Sequence, residues 1–254
     1  MTRFVWDKFS KDFLETFLSP YGTVIVNQTV SSEIKEIDVV FLPNNSEIPP
    51  QLGLLGKICQ TACLFEPYRN PITLGDLSNC LSKRFAVCED WQREAKRQKR
   101  PAEIPKMWIF TPTASHRVLS PFSAHLREDW EEGVYFLSEG LETAVVVIHQ
   151  LPETPETLWL RLLGRGGTRR RAIDELEAMS VGEPLKLASL KLLYNLSRNL
   201  EALSQKSQDD RRLIMLLEPL YEQEREQAVR EGEAIGLQKG EAIGLQKGEV
   251  IGLQ

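Results

Sequence analysis

Glu36-Ile37-Asp38-Val39-Val40-Phe41 is the stretch on which the reading of this chain turns. Apolar and acidic residues alternate at its start, which is the period of a strand. In such a strand Ile37, Val39 and Phe41 face one way, and Glu36 and Asp38 face the other, side by side. Carboxylates on a strand are a common way of holding Mg²⁺, because hard cations want oxygen ligands and take only one or two from the protein. The same pattern describes a strand with one solvated face, and periodicity does not separate the two readings.

Upstream, Trp6 to Leu18 reads as an amphipathic helix with Phe9, Phe13 and Phe17 four apart and Leu14 and Leu18 widening the stripe. Ser19-Pro20-Tyr21-Gly22 ends it. Thr23 to Val30 reads as a strand that pairs with Glu36 to Leu42 as a hairpin across Ser31 to Lys35. Downstream, Gln51 to Phe65 and Leu74 to near Gln98 read as helices. Lys106 to Thr111, Val134 to Leu137 and Thr143 to Ile148 read as strands, the last an unbroken apolar run suited to a central position. The interleaving predicts an α/β architecture.

From Thr154 the chain reads as helix: Thr157 to Leu163, a break at Gly164 to Gly167, a helix capped by Thr168 and running to Met179, and another over Pro184 to Leu203. Asp209 starts a further helix that Pro219 interrupts. The tail repeats: Gly232 to Lys239 recurs as Gly240 to Lys247, and a third, shortened copy follows. Glycines every fourth residue form a slowly drifting helical stripe that admits a close partner helix, at about 1 kcal/mol of helix propensity each. The expected division is 1–152, an α/β core; 153–204, a helical extension; and 205–254, a glycine-repeat tail.

The chain has 254 residues, is 42% hydrophobic and 26% charged, and carries a net charge of −5. That balance excludes a uniformly basic nucleic-acid coat and leaves room for a local basic patch. No apolar run reaches the roughly 18 residues of a membrane span, and no signal peptide is recognisable at the N-terminus, so a cytoplasmic protein without membrane contact is expected. Cys59, Cys63, Cys80 and Cys88 form no CxxC pair. They read as reduced, buried side chains, with a zinc site as the alternative.

Asp7-Lys8-Phe9-Ser10-Lys11-Asp12-Phe13-Leu14, the helix ending at Pro20 and the strand Glu36 to Phe41 resemble the start of PD-(D/E)XK nuclease-like proteins. Within that superfamily the chain is most similar to bacterial recombination-promoting nuclease (Rpn)/putative transposase proteins, whose C-termini are also rich in repeating glycine and glutamate. The resemblance implies a restriction-endonuclease-like mixed sheet flanked by helices, followed by a helical C-terminal extension. It further implies Mg²⁺ held by a first-helix acid and a second-strand aspartate, with a (D/E)xK or (D/E)xQ pair on the third strand. Asp38 matches the strand aspartate. Glu15, or else Asp12, matches the helix acid, and Glu36 stands beside Asp38.

The third strand departs from this pattern. Read as Lys106 to Thr111, it holds no acid. Glu33-Ile34-Lys35 spells ExK but precedes Asp38. Glu94-Ala95-Lys96 spells it within a helix, leaving Glu94 and Lys96 as a displaced catalytic pair. Arg93, Lys96, Arg97, Lys99 and Arg100 form one basic run, read as DNA-phosphate contacts or as a solvated helix end. Arg165 with Arg169, Arg170 and Arg171 forms another, read as an anion contact or a helix connection. The expected function is accordingly a DNA-acting, Mg²⁺-dependent nuclease relative, tied to transposition or recombination, with a degenerate site. The alternative is a non-catalytic scaffold that forms homo-oligomers, or takes a partner helix, through the helices after residue 154 and the glycine tail.

Overall fold

The computed structural model describes residues 2–30, 35–44, 47–180, 183–217, 219–223, 225–226 and 229–230. The glycine repeat and Glu33-Ile34 of the first ExK tripeptide lie outside these residues, and the repeat is part of the surface on which the scaffold alternative rests.

Helix α1 (Thr2–Leu18) leads into a hairpin of β1 (Gly22–Val30) and β2 (Lys35–Pro43). A short helix α2 (Gly53–Ile58) precedes β3 (Cys63–Pro67). The long α3 (Leu74–Arg97) crosses to β4 (Lys106–Thr111). Next come α4 (His116–Leu119), β5 (His125–Leu126), β6 (Val134–Phe136) and β7 (Thr143–Val147). Helices α5 (Leu158–Leu162), α6 (Gly166–Ala178) and α7 (Pro184–Glu201) follow, and residues 208–217 are again helical.

The strands form one mixed sheet in the order β1-β2-β3-β4-β7-β6-β5. β1–β2 and β2–β3 are antiparallel, β3–β4 and β4–β7 parallel, and β7–β6 and β6–β5 antiparallel. The α3 crossover between parallel β3 and β4 is what such a pair needs, since a tight turn cannot join parallel strands. The α/β, helix-flanked mixed sheet expected from the sequence is therefore observed.

Each face of the sheet has its own core. On one, the stripe of Trp6, Phe9, Phe13 and Phe17 packs with Val39, Phe41, Phe65 and Trp108, and with residues of α5, α6 and α7. Phe13 and Phe17 stack with ring centres 4.3 Å apart, and Trp159 of α5 lies 5.0 Å from Phe17. The C-terminal helices thus share a core with α1. On the other face α3 covers Ile37, Val40, Leu64, Met107, Ile109 and Val145.

Two sequence expectations are corrected. Gln51 to Phe65 is not one helix: α2 stops at Ile58, and Cys63 begins a strand. A short run of buried apolar residues has no decisive period, and a strand covered on both faces reads like a helix segment. The strand after β2 is consequently β3 rather than Lys106–Thr111, and β3 carries an acid, Glu66. Strict alternation also fails around Asp38. Ile37 packs with Val40 on the α3 face, whereas Val39 and Phe41 lie on the α1 face. The β1–β2 register is the same before and after this point, but the Asn27–Asp38 pair is missing from the ladder, and Asn27 sits at φ 57. Asn tolerates this left-handed backbone better than most residues.

Candidate functional site

The interrupted ladder lies beside a cavity of about 450 Å³ lined by Asp7, Asp38, Glu66, Tyr68 and Lys83 together with Arg69, Arg165 and Arg169. Four elements converge there. α1 contributes Asp7, adjacent strands β2 and β3 contribute Asp38 and Glu66, and α3 contributes Lys83. Helix α3 is set at its start by a capping box, in which the Thr73 hydroxyl accepts from the Asp76 N–H and the Asp76 carboxylate accepts from Thr73 N–H.

Each strand acid is held by a lysine from a helix. Lys11, one turn beyond Asp7 on α1, donates to Asp7 Oδ2, Asp38 Oδ1 and Asn27 Oδ1, at 2.8 Å each. The left-handed turn at Asn27 therefore gives its side chain a partner in the site. Lys83 Nζ lies 2.8 Å from both Glu66 oxygens. Glu66 is only 2% exposed. It also accepts a backbone hydrogen bond from Asp38, which ties the two acids together.

This crowding sets the electrostatics. Burial, reinforced by the charge of Asp38, raises Glu66 to about 7 despite Lys83. Burial likewise raises Asp38 above the usual carboxylate range, and Lys11 only partly opposes it. Burial alone would lower the Lys11 ammonium, but its bonds to Asp38 and Asp7 more than reverse that. The outcome is a carboxylate poised to titrate near neutrality in a cleft, the kind of perturbation that concentrates at functional sites.

The residues singled out from the sequence are dispersed. Asp38 is central. Glu15 is exposed, roughly 12 Å further along α1 than Asp7 at 1.5 Å per residue. Asp7 is the first-helix acid that lines the cavity. Burial raises Asp12, but it does not line the cavity either. Glu36 is exposed and lies outside the cavity lining. Glu94 and Lys96 sit near the end of α3, where Glu94 bonds Arg97 and Gln98. They are far from Asp38's neighbours, because Arg93 is already roughly 15 Å beyond Lys83 along the helix. The exposed run Arg93, Lys96, Arg97, Lys99 and Arg100 shares that remote end, and Arg93 and Arg97 pair with acids of their own helix. The second basic cluster divides. Arg165 and Arg169 line the cavity; Arg170 lies outside it, and Arg171 pairs with Glu153. Helix α6 starts at Gly166 with Arg165 in the cap position, three residues before the expected cap Thr168.

Sequence reasoning missed Glu66, Lys83, Lys11 and Asp7. A local signal existed for three of them. Cys63-Leu64-Phe65-Glu66 is an apolar run ended by an acid, and Asp7 and Lys11 are spaced to pair on one helix face. Nothing local marks Lys83. Cys59 and Cys63 belong to the apolar core on the α1 face, and burial pushes the Cys59 thiol well up.

Among the described residues no three His, Cys, Asp or Glu side chains converge to hold a metal ion. What the cavity presents is two neighbouring strand carboxylates, Asp38 and Glu66, with Asp7 turned toward Lys11. No family model, no curated protein and no solved structure matches the chain.

Proposed function

We propose that the cavity is the active site of a phosphodiester-cleaving, nuclease-like enzyme acting on DNA. The observation that carries this reading is Glu66: an acid on the third strand beside the second-strand Asp38, in one cavity, with a lysine on its carboxylate. The sequence of elements supports it as well. A first-helix acid, a second-strand aspartate and a third-strand acid are what the PD-(D/E)XK resemblance leads one to expect. The departure is that Tyr68 stands two residues after Glu66, where that pattern has its lysine or glutamine, and Lys83 brings the ammonium from α3.

The donor set fits Mg²⁺. Hard carboxylate oxygens suit it, and Mg²⁺ commonly uses one or two of them with water and substrate phosphate completing the shell. Two crowded acids with raised proton affinity also gain from an added positive charge. Asp38 and Glu66 would hold the ion, which would supply charge neutralisation at the scissile phosphate.

The chain's own groups account for the rest. Lys83, fixed by both Glu66 oxygens, puts a positive charge beside the attacking water and beside the pentavalent phosphorus that its oxygen forms. The attacking water gives up a proton to solvent, the bond from phosphorus to the leaving oxygen breaks, and that oxygen takes a proton from solvent. Lys11, bonded to both Asp38 and Asp7, holds the place on these acids that the ion would take. Tyr68, its hydroxyl 3.3 Å from Cys80 Sγ and its pKa raised by burial, is a poor proton donor and serves as wall.

The test is cleavage of supercoiled plasmid with Mg²⁺ by the full chain, compared with Asp38→Asn and Glu66→Gln. Loss of more than about a hundredfold in each variant is expected for groups that act on the transition state. Equal nicking by the wild type and both variants would overturn the reading.

A further inference from the structure

The cavity has a second wall that the chemistry above leaves unused. Arg69, Arg165 and Arg169 also line it. Arg169 is buried. Its Nε donates to the Leu162 carbonyl at 3.1 Å, its Nη2 to the Gly164 carbonyl, and its guanidinium lies 3.9 Å from the centre of the Trp6 ring. Arg69 lies 5.0 Å from the same ring and reaches Asp210 at 3.3 Å. Arg165 Nη1 donates to Asn70 Oδ1 at 3.1 Å and lies 3.5 Å from the Arg69 carbonyl.

The charges on this wall are not balanced. Arg169 is lowered to about 9 by burial, and the neighbouring Arg69 and Arg165 add to the effect. The acids acting on the cluster are Asp209 and Asp210. Asp210 is occupied by Arg69 and by the Ser207 cap, and Asp209 accepts the Gly166 N–H. Among the described residues no carboxylate pairs with Arg165. A half-buried guanidinium crowded by two others gains from an anion brought from outside, and its fork geometry matches phosphate. Trp6 and Leu163 also line the cavity. Its size falls within the range of about 300–1,000 Å³ that takes small molecules, which is room for a nucleotide-sized end rather than for a long strand.

We infer that Arg165 and Arg69 bind the terminal phosphate of a nucleic-acid strand while the neighbouring phosphodiester lies at Asp38, Glu66 and Lys83. The inference rests on the phosphodiesterase reading and narrows its substrate to single-stranded ends bearing a phosphate. Arg169 is the positioning residue beneath, held by carbonyls and Trp6.

The experiment uses the full chain in EDTA, so that binding is read without cleavage. Fluorescent single-stranded oligonucleotides with a phosphate at either end, or with hydroxyl ends only, are titrated against it. The wild type is expected to bind one phosphorylated end about tenfold more tightly, the worth of one charge-assisted contact. Arg165→Gln removes that preference, whereas Arg171→Gln, outside the cavity, keeps it. Asn70→Asp provides an independent variant. It sets a carboxylate on Arg165 Nη1, competes with the phosphate and also removes the preference. Equal wild-type binding of phosphate and hydroxyl ends, or a preference retained in Arg165→Gln or Asn70→Asp, overturns the inference. A phosphate preference in a protein that cleaves nothing would sink the catalytic reading and leave the end-binding site standing.

Discussion

The acid pair makes stability depend on pH in a way that one substitution isolates. Glu66 moves from an ordinary 4.5 to about 7 in the folded chain, through burial first and the Asp38 charge second. The folded state therefore binds this proton more tightly than the unfolded state. The stability associated with it is fully present below about pH 4.5 and is lost as pH rises through 7. The gap between the two values is worth roughly 3 kcal/mol at about 1.36 kcal/mol per pH unit. Exposure does not dilute the effect, since the side chain is 2% exposed. Glu66→Gln cannot titrate. It leaves Lys83 without its counter-charge, but that cost is constant between pH 5 and 8 and drops out of the slope. Asp38 is raised too and contributes to both proteins. Urea unfolding across pH 5–8 should thus show the wild type losing roughly 3 kcal/mol more than Glu66→Gln, a relative midpoint change of about 1 M or more. Saturating Mg²⁺ should flatten the wild-type curve, because a cation on the acids stabilises their ionised form. Parallel pH profiles for the two proteins would refute the electrostatic account of the site.

Two further outcomes follow from the same contacts. Lys11→Met removes the ammonium that competes for Asp38 and Asp7, so the Mg²⁺ needed for half-maximal plasmid cleavage should fall by about tenfold; an unchanged or higher requirement in a Mg²⁺ titration would count against it. Arg161 is fully buried, bonds both Glu175 oxygens and donates to Thr157 Oγ1 and the Thr154 carbonyl, so Arg161→Met should cost about 3 kcal/mol in urea unfolding; a loss below about 1 kcal/mol would show the network to be dispensable.

What could be read from the sequence was whatever repeats with a period. The aromatic stripe of α1, the unbroken apolar run of β7 and the bounds of β4 and α3 were all visible, because each is long enough or uniform enough to outvote its neighbours. β3 was not, because Leu52 to Phe65 is apolar almost throughout and its one turn, Gln60-Thr61, is short. Losing β3 hid Glu66, and with it the reason to look for a lysine. The helix acid was misplaced for a different reason. Asp7, Asp12 and Glu15 all lie on a predicted helix, and only the direction from which α1 crosses the sheet selects Asp7. Lys83 joins the site through the packing of α3 on the sheet, a long-range contact with no local signature. Asn27 was equally silent, since its role comes from the break in the ladder opposite Asp38.

The lysine gives the sharpest test of the reading as a whole. If Lys83 stands in for a strand residue two positions after Glu66, the substitute and the original position must serve the same space. Tyr68 lies one residue past β3, yet its N–H still donates to the Phe110 carbonyl, it lines the same cavity as Glu66, and it reaches α3 at Cys80, one turn before Lys83. An ammonium at position 68 therefore starts within a side chain's reach of Glu66. Lys83→Met should lower Mg²⁺-dependent cleavage by about a hundredfold or more, as expected when a charge aimed at the transition state is lost. Adding Tyr68→Lys to that variant should recover part of the loss in kcat, while Tyr68→Met in its place should recover none. Recovery by Lys and not by Met separates a catalytic ammonium from a packing role, because either side chain fills the gap left by tyrosine. If neither recovers activity while the variants unfold as the Lys83→Met protein does, Lys83 is a structural counter-charge to Glu66 and the displaced-lysine argument fails, whatever plasmid cleavage the wild type retains.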